Sequence, residues 1–350
     1  MSHSKTIFMP LFESGWHTRS VLEGISKHFS PKSIHIATLP SEIAKLEKCV
    51  NTWDCATIFF YDENNFFAGK NLSKKIICDR LRNTNDQYQP GWFYQQLLKL
   101  GCLRTLPDLN DWTLIWDSDL IPIVGWSDHK NNVPAFALLQ HNSKINKQIV
   151  SSWELWIKEF LSVCPVYDLE ATFIPHHMWF YRPALESLLD HLESNFSQCW
   201  QEIMIDSVKT HATFSEYWMV ASWMAEHHPN LFRYHPYSVA GESTERFFDD
   251  GNGKFSNHFR LWYKSNCSDD FPEFPSYNTL LKFLDSTYTQ TGDELPSSLS
   301  LELSQRHINK SEENRHLEEL RSRWILRKND FEILSVDTKK KLPFTGELFK

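Results

Sequence analysis

The stretch Asp111-Trp112-Thr113-Leu114-Ile115-Trp116-Asp117-Ser118-Asp119-Leu120-Ile121-Pro122-Ile123 decides how this chain is read. Trp112, Leu114, Ile115 and Trp116 form a run too apolar for a surface loop, which predicts a buried strand. That strand delivers two carboxylates, Asp117 and Asp119, at its carboxyl end. Successive strand side chains point to opposite faces, so the two acids converge only if the backbone turns there. The following Leu-Ile-Pro agrees, because a proline cannot donate to a ladder and marks a strand edge or end. Paired acids in such a place suit a hard divalent cation, which takes oxygen ligands and can share them with a diphosphate. Asp-x-Asp on its own is also a common turn; the abrupt end of the apolar run is what favours the metal site here.

Working outward, the residues before this strand alternate strand and helix signals. Strands are predicted at 6–12, 33–39 and 55–61, and helices at 14–29 and 41–49, the latter with Ser41 as N-cap. This β-α-β-α-β opening predicts an α/β fold with a mainly parallel sheet covered by helices, whose ligands bind outside the carboxyl ends of the strands. Neither a Gly-x-Gly-x-x-Gly nor a P-loop pattern occurs. Helices follow at 71–81 and 90–100. The second leaves Gln95, Gln96 and Lys99 on a less buried face. Lys74, Arg80 or Lys99 could neutralise a diphosphate, whereas Lys75 and Arg82 read as a solvated face.

Beyond the acidic strand, a strand is expected at 133–139 and a helix at 151–161. A strand-like run over 171–183 is interrupted by His176 and His177, and a helix runs from 183 to 192. Paired histidines in an aromatic segment read either as one packed and one hydrogen-bonded residue or as substrate contacts. A strongly apolar helix begins near 213 with Ser215 as N-cap, which puts Glu216 in the first turn. Glu216 is equally a helix-start acid and a general base held at a helix end. Strands are predicted at 231–239 and 255–264 around a polar loop at 241–253, with a helix at 276–287. His258, on the second of these strands, could close a metal shell or serve the structure only. Residues from about 291 on are charged and read as an extension, helical over 311–327.

Composition narrows the class. The chain has 350 residues, 41% hydrophobic and 14% aromatic, with 14 Trp and 25 Phe, enough to bury a large core. A net charge of −8 argues against a general nucleic-acid binder. Seven cysteines without a Cys-x-x-Cys pair fit a reducing compartment. No apolar run is long enough to span a membrane, and the N-terminus has no signal-like h-region, so a cytoplasmic protein is expected.

Several motifs recur together in one order: Gly91-Trp92 with Gln95-Gln96 and Lys99-Leu100, Leu114-Ile-Trp-Asp-Ser-Asp119, Phe173-Ile-Pro-His-His-Met178, Phe214-Ser-Glu-Tyr217 and His228-Pro229. In them the chain resembles an uncharacterised bacterial family in the broad class of GT-A type nucleotide-sugar glycosyltransferases, over roughly residues 5 to 240. The resemblance implies a Rossmann-like GT-A domain over 1–290, with a donor half over about 1–140, an acceptor half over 141–290 and a C-terminal extension over 291–350. It implies a hexosyltransferase-like enzyme using a nucleotide-diphosphate sugar and Mn²⁺ or Mg²⁺. Asp117 and Asp119 become metal and donor ligands; from the residues themselves, Gln95, Gln96, Lys99, Lys74 and Arg80 are expected on the donor side, and His258, beyond the stretch the resemblance covers, as a candidate third metal ligand. Glu216 takes the place of the base used by inverting members. His176, His177 and Trp179 fall on the acceptor side. Trp116 departs from the pattern and either shapes the donor pocket or packs in the core. The acceptor would be a saccharide or a glycolipid, the latter requiring peripheral contact at the inner membrane face, in cell-surface polysaccharide or glycolipid synthesis. The rival readings are a metal-dependent phosphodiesterase or nucleotidyltransferase and a non-catalytic carbohydrate- or nucleotide-binding protein.

Overall fold

The computed structural model describes residues 5–67, 72–84, 90–140, 147–167, 171–210, 213–235, 244–248, 254–267, 269–291, 295–296 and 298–302. The expected alternation opens the chain: β1 (Thr6–Pro10), α1 (Thr18–Phe29), β2 (Ser33–Thr38), α2 (Pro40–Leu46) and β3 (Thr57–Asp62). Helix α2 starts before the expected Ser41, because Pro40 has its φ already set for a first helical position and Leu39 becomes the N-cap. Then come α3 (Lys74–Thr84), α4 (Pro90–Thr105) and the acidic strand β4 (Trp112–Trp116), followed at once by β5 (Leu120–Pro122). After β6 (His129–Lys130), the strand expected over 133–139 is reduced to two short pieces, β7 (Val133–Pro134) and β8 (Leu139–Gln140). Pro134 has no N–H with which to extend the β7 ladder.

Helix α5 (Lys147–Trp156) runs into a π-helical turn, Ile157–Leu161. The segment with two histidines gives β9 (Ala171–Thr172) and β10 (His177–Tyr181), then α6 (Arg182–Phe196), α7 (Trp200–Asp206) and α8 (Glu216–His227). Residues 231–235 carry only an isolated bridge, Tyr234 to Phe136, where a strand was expected. The expected loop at 241–253 contains β11 (Thr244–Phe248). The strand expected at 255–264 is instead helix α9 (Lys254–Asn266). Its buried Phe255, Phe259, Trp262 and Tyr263 recur at four, three and one residues, a helical stripe. Helix α10 (Tyr277–Thr291) and strand β12 (Ser298–Glu302) follow, and the helix expected over 311–327 lies outside the described residues.

The central sheet has five strands in the order β10-β4-β1-β2-β3. Strands β1 to β4 are parallel and β10 runs antiparallel against β4. This is the mixed, mainly parallel, helix-flanked sheet that the GT-A resemblance implied. Alternating side chains feed two cores. On one face Phe8 and Ile115 pack with α4, α6 and α8; on the other Ile7, Met9, Leu114 and Trp116 pack with α1, α9 and α10. Trp116 is a core residue: it is fully buried, its indole N–H donates to the Leu120 carbonyl at 2.9 Å, and its ring lies 5.1 Å from Phe29. Helix α4 can approach its neighbours closely because Gly101 has no Cβ; one built there would lie 2.6 Å from the Phe67 ring.

A second sheet of three strands, β11-β12-β5, sits beside the first. Strand β12 pairs antiparallel with β5, so residues 298–302 are built into the body next to the acidic turn.

Arg182 ties the layers together. Its guanidinium donates to the carbonyls of Leu103, Leu106 and Leu109, at and just past the end of α4, and its backbone N–H donates to the Asp111 carbonyl at 2.7 Å. Helix C-termini leave carbonyls without intrahelical donors, and a partly buried cation satisfies them well. Arg182→Met, which keeps much of the stem and removes the donors, should cost about 2–3 kcal/mol in urea unfolding with little change in the slope.

His177 lies in the core between the rings of Trp116, 4.9 Å away, and Trp126, 5.2 Å away. Burial, with help from the neighbouring His176, lowers its pKa from 6.5 to about 4. The unfolded chain therefore protonates this imidazole below about pH 6.5 and the folded chain only near 4. Stability should fall as pH drops through that window, by up to about 3 kcal/mol from this group. His177→Gln should flatten that part of the stability–pH curve, as read by denaturant midpoints from pH 7 to 4.

Candidate functional site

The site forms where β4 ends. Trp116 is anchored in the core, and the chain turns immediately after it: the Leu120 N–H donates to the Asp117 carbonyl at 3.1 Å. Across the sheet the Asp117 N–H donates to the His176 carbonyl at 2.8 Å, continuing the β4–β10 register in which His177 faces Trp116. The turn lets Asp117 and Asp119 converge, and the register adds His176. One ligand atom from each of these three half-buried residues lies within 4.8 Å of the other two. His176 Nδ1 is 3.5 Å from Asp117 Oδ2, and its Nε2 is 3.4 Å from the Ser300 hydroxyl of β12. The Ser300 partner on one imidazole nitrogen fixes the ring and aims the other at Asp117.

Helices α4 and α8 close the other side. Lys99 of α4 is buried, with Nζ 2.5 Å from Asp117 Oδ1 and 2.7 Å from Glu216 Oε1. Glu216 opens α8, and its backbone N–H donates to the side-chain oxygen of Gln96, one turn before Lys99, at 3.3 Å. Ser215 is the N-cap by position, but its hydroxyl makes no capping bond. The Tyr217 hydroxyl donates to Asp117 Oδ1 at 2.9 Å, and the Lys99 ammonium sits 4.4 Å from the Tyr217 ring centroid.

The charges are strongly coupled. Burial pushes the Asp117 carboxyl up, but Lys99 and His176 outweigh it and hold its pKa at about 2. Burial works against the Lys99 ammonium, and Asp117 and Glu216 overcome it, so Lys99 stays charged. Burial and then Asp117 raise Tyr217 well above an ordinary phenol, which keeps it a donor.

The expected site residues therefore separate. Asp117, Asp119, His176, Lys99, Gln96 and Glu216 come together. His176 stands with the aspartates, where the sequence put it on the acceptor side. Gln96 and Lys99 are buried instead of lying on a less buried face. His258 is not in the three-residue cluster; it is buried on α9 with its ring 5.6 Å from that of Phe283. Lys74 pairs with Glu63, and Arg80 pairs with Asp206 at 2.6 Å and Glu202 at 3.3 Å. Gln95 is half-buried on α4. Trp179 is buried in β10 beside His129, and His177 is packed between tryptophans, so neither offers a free face for a sugar to stack on. Tyr217 was not singled out from the sequence, although it ends the Phe-Ser-Glu-Tyr motif. A donor set of two carboxylates and one imidazole fits a divalent cation.

Among solved structures the chain is similar to mouse xyloside xylosyltransferase 1 in its apo form, with 10% identity, a TM-score of 0.40, and coverage of 85% of this chain and 97% of that one. It is also similar to the apo-form glycosyltransferase GlyE of Streptococcus pneumoniae TIGR4, with 9% identity, a TM-score of 0.30, and coverage of 88% and 57%. No curated protein matches the sequence. Residues 17–272 match one family along most of the chain, and the protein belongs to it: the family of unknown function DUF6492.

Proposed function

We propose that the protein is a metal-dependent glycosyltransferase, moving a sugar from a nucleotide-diphosphate sugar to a hydroxyl of a saccharide or glycolipid. The observation that carries this reading is the Asp117–Asp119–His176 cluster, set at the carboxyl end of a parallel strand where such sheets bind their ligands. Bound Mn²⁺ or Mg²⁺ would supply Lewis-acid neutralisation of the diphosphate that departs. Asp117 and Asp119 would hold the ion through carboxylate oxygens, and His176 through Nδ1, with Ser300 steadying the ring. Lys99 and Tyr217 engage Oδ1 of Asp117, whereas Oδ2 faces His176 Nδ1, so an ion on these two ligands would sit between them on that side.

Glu216 is held by Lys99 and its side chain is only 7% exposed. In this arrangement it fixes the ammonium against Asp117. To take a proton from an acceptor hydroxyl in an inverting reaction, it would have to leave that pair. A two-metal phosphodiesterase is a poorer match, because the described residues gather a single cluster of three ligands. Among them no helix is long and apolar enough to cross a membrane. In this reading the enzyme is cytoplasmic and a glycolipid acceptor would be met by peripheral contact with the inner membrane face.

Thermal unfolding with UDP, GDP, CMP and dTDP, each with and without Mn²⁺, tests this reading. A nucleotide at about 100 times its Kd should add about 2.7 kcal/mol of stability. We expect one nucleotide to raise Tm only with Mn²⁺, and the effect to vanish in Asp117→Asn/Asp119→Asn. Stabilisation by none of the four, at millimolar concentration, would overturn the donor site.

A further inference from the structure

The pair Lys99–Glu216 has more to do than fill space beneath the aspartates. Lys99 bridges a carboxylate of the cluster, Asp117 Oδ1 at 2.5 Å, and one outside it, Glu216 Oε1 at 2.7 Å. The backbone of Glu216 is anchored, because it is the first residue of α8 and its N–H is bound to Gln96. Gln96 and Lys99 in turn lie on one face of α4, a single helical turn apart. The ammonium is therefore held between two fixed acids.

Counted together, Asp117, Asp119 and Glu216 against Lys99 leave two net negative charges, the number that a divalent cation neutralises. A cation on Asp117 repels the ammonium on the same carboxylate, and Glu216 is the group that keeps the ammonium satisfied when this happens. Resting on the cation-centre reading above, we propose that Glu216 sets the divalent-cation affinity of the Asp117–Asp119–His176 centre through Lys99, as a positioning residue that never touches the ion.

The consequence is a charge-compensation pattern that neither a pure base nor a pure packing role produces. Without Glu216, Asp117 is the sole acid paired with Lys99 and competes directly with the cation. Without Lys99, the two carboxylates of the cluster and Glu216 beside them are uncompensated. With both neutral, the net charge returns to that of the wild type.

Mn²⁺ alone, titrated into the full chain and followed by loss of the free-ion electron paramagnetic resonance signal, gives the test. Glu216→Gln should weaken Mn²⁺ binding by at least about tenfold, since a unit charge close by in a half-buried site is worth that much. Lys99→Met should tighten it, and Lys99→Met/Glu216→Gln should return to within a fewfold of the wild type. If Lys99→Met alone fails to fold, the double variant still reads the compensation, because replacing both members of a buried pair is tolerated far better than removing one. Wild-type binding that depends on Asp117 but ignores Glu216→Gln would overturn this inference and leave the cation centre standing. A double variant as weak as Glu216→Gln would also overturn it. A wild type that binds no Mn²⁺ would overturn both.

Discussion

Lys99 is the interaction on which the site depends. Three carboxylates gathered beside a core repel one another. One buried ammonium between Asp117 and Glu216 makes the arrangement possible, and it does so from a helix whose position is fixed elsewhere. Arg182 holds the end of α4, and Gly101 lets the helix settle against Phe67 and Trp200. The electrostatics of the centre thus rest on apolar packing and on a helix C-terminus some distance from it.

Topology then decides which groups meet. A strand whose neighbours are parallel on one side and antiparallel on the other can receive ligands from two directions at its carboxyl end. Strand β4 delivers Asp117 from within, and antiparallel β10 begins opposite, so the residue just before it, His176, faces the turn. Helix α8 brings Glu216 and Tyr217 to the same end by its N-terminus, where a carboxylate is favoured.

Much of this was legible in the sequence, for reasons that can be stated. Asp117 and Asp119 stood out because a buried apolar run ended in acids, and the early β-α alternation gave the parallel sheet. The motif around Gln96 and Lys99 pointed to the right helix, but not to its buried face, because a lysine in an amphipathic pattern ordinarily reads as solvated. The role of His176 depended on the register of an antiparallel pair, which no local pattern encodes. The pairing of Lys99 with Glu216 joins residues far apart in the chain. Helix α9 was read as a strand because its aromatic residues favour strands; their spacing carried the correct period and outweighed propensity. Strand β12 was hidden in a polar segment, since a short strand completing a small sheet needs few apolar residues.

That last strand has a temporal consequence. The Leu301 N–H donates to the Asp119 carbonyl at 2.9 Å, and Ser300 steadies His176. The floor of the centre is therefore laid by some of the last described residues to be synthesised. Until that strand is made, the acidic turn lacks its closing partner and one of the two cores lacks Leu299 and Leu301. Such long-range contacts are also the slowest to form, because loop closure precedes any reward. Completion of the acidic turn thus depends on a segment far downstream of it in the chain.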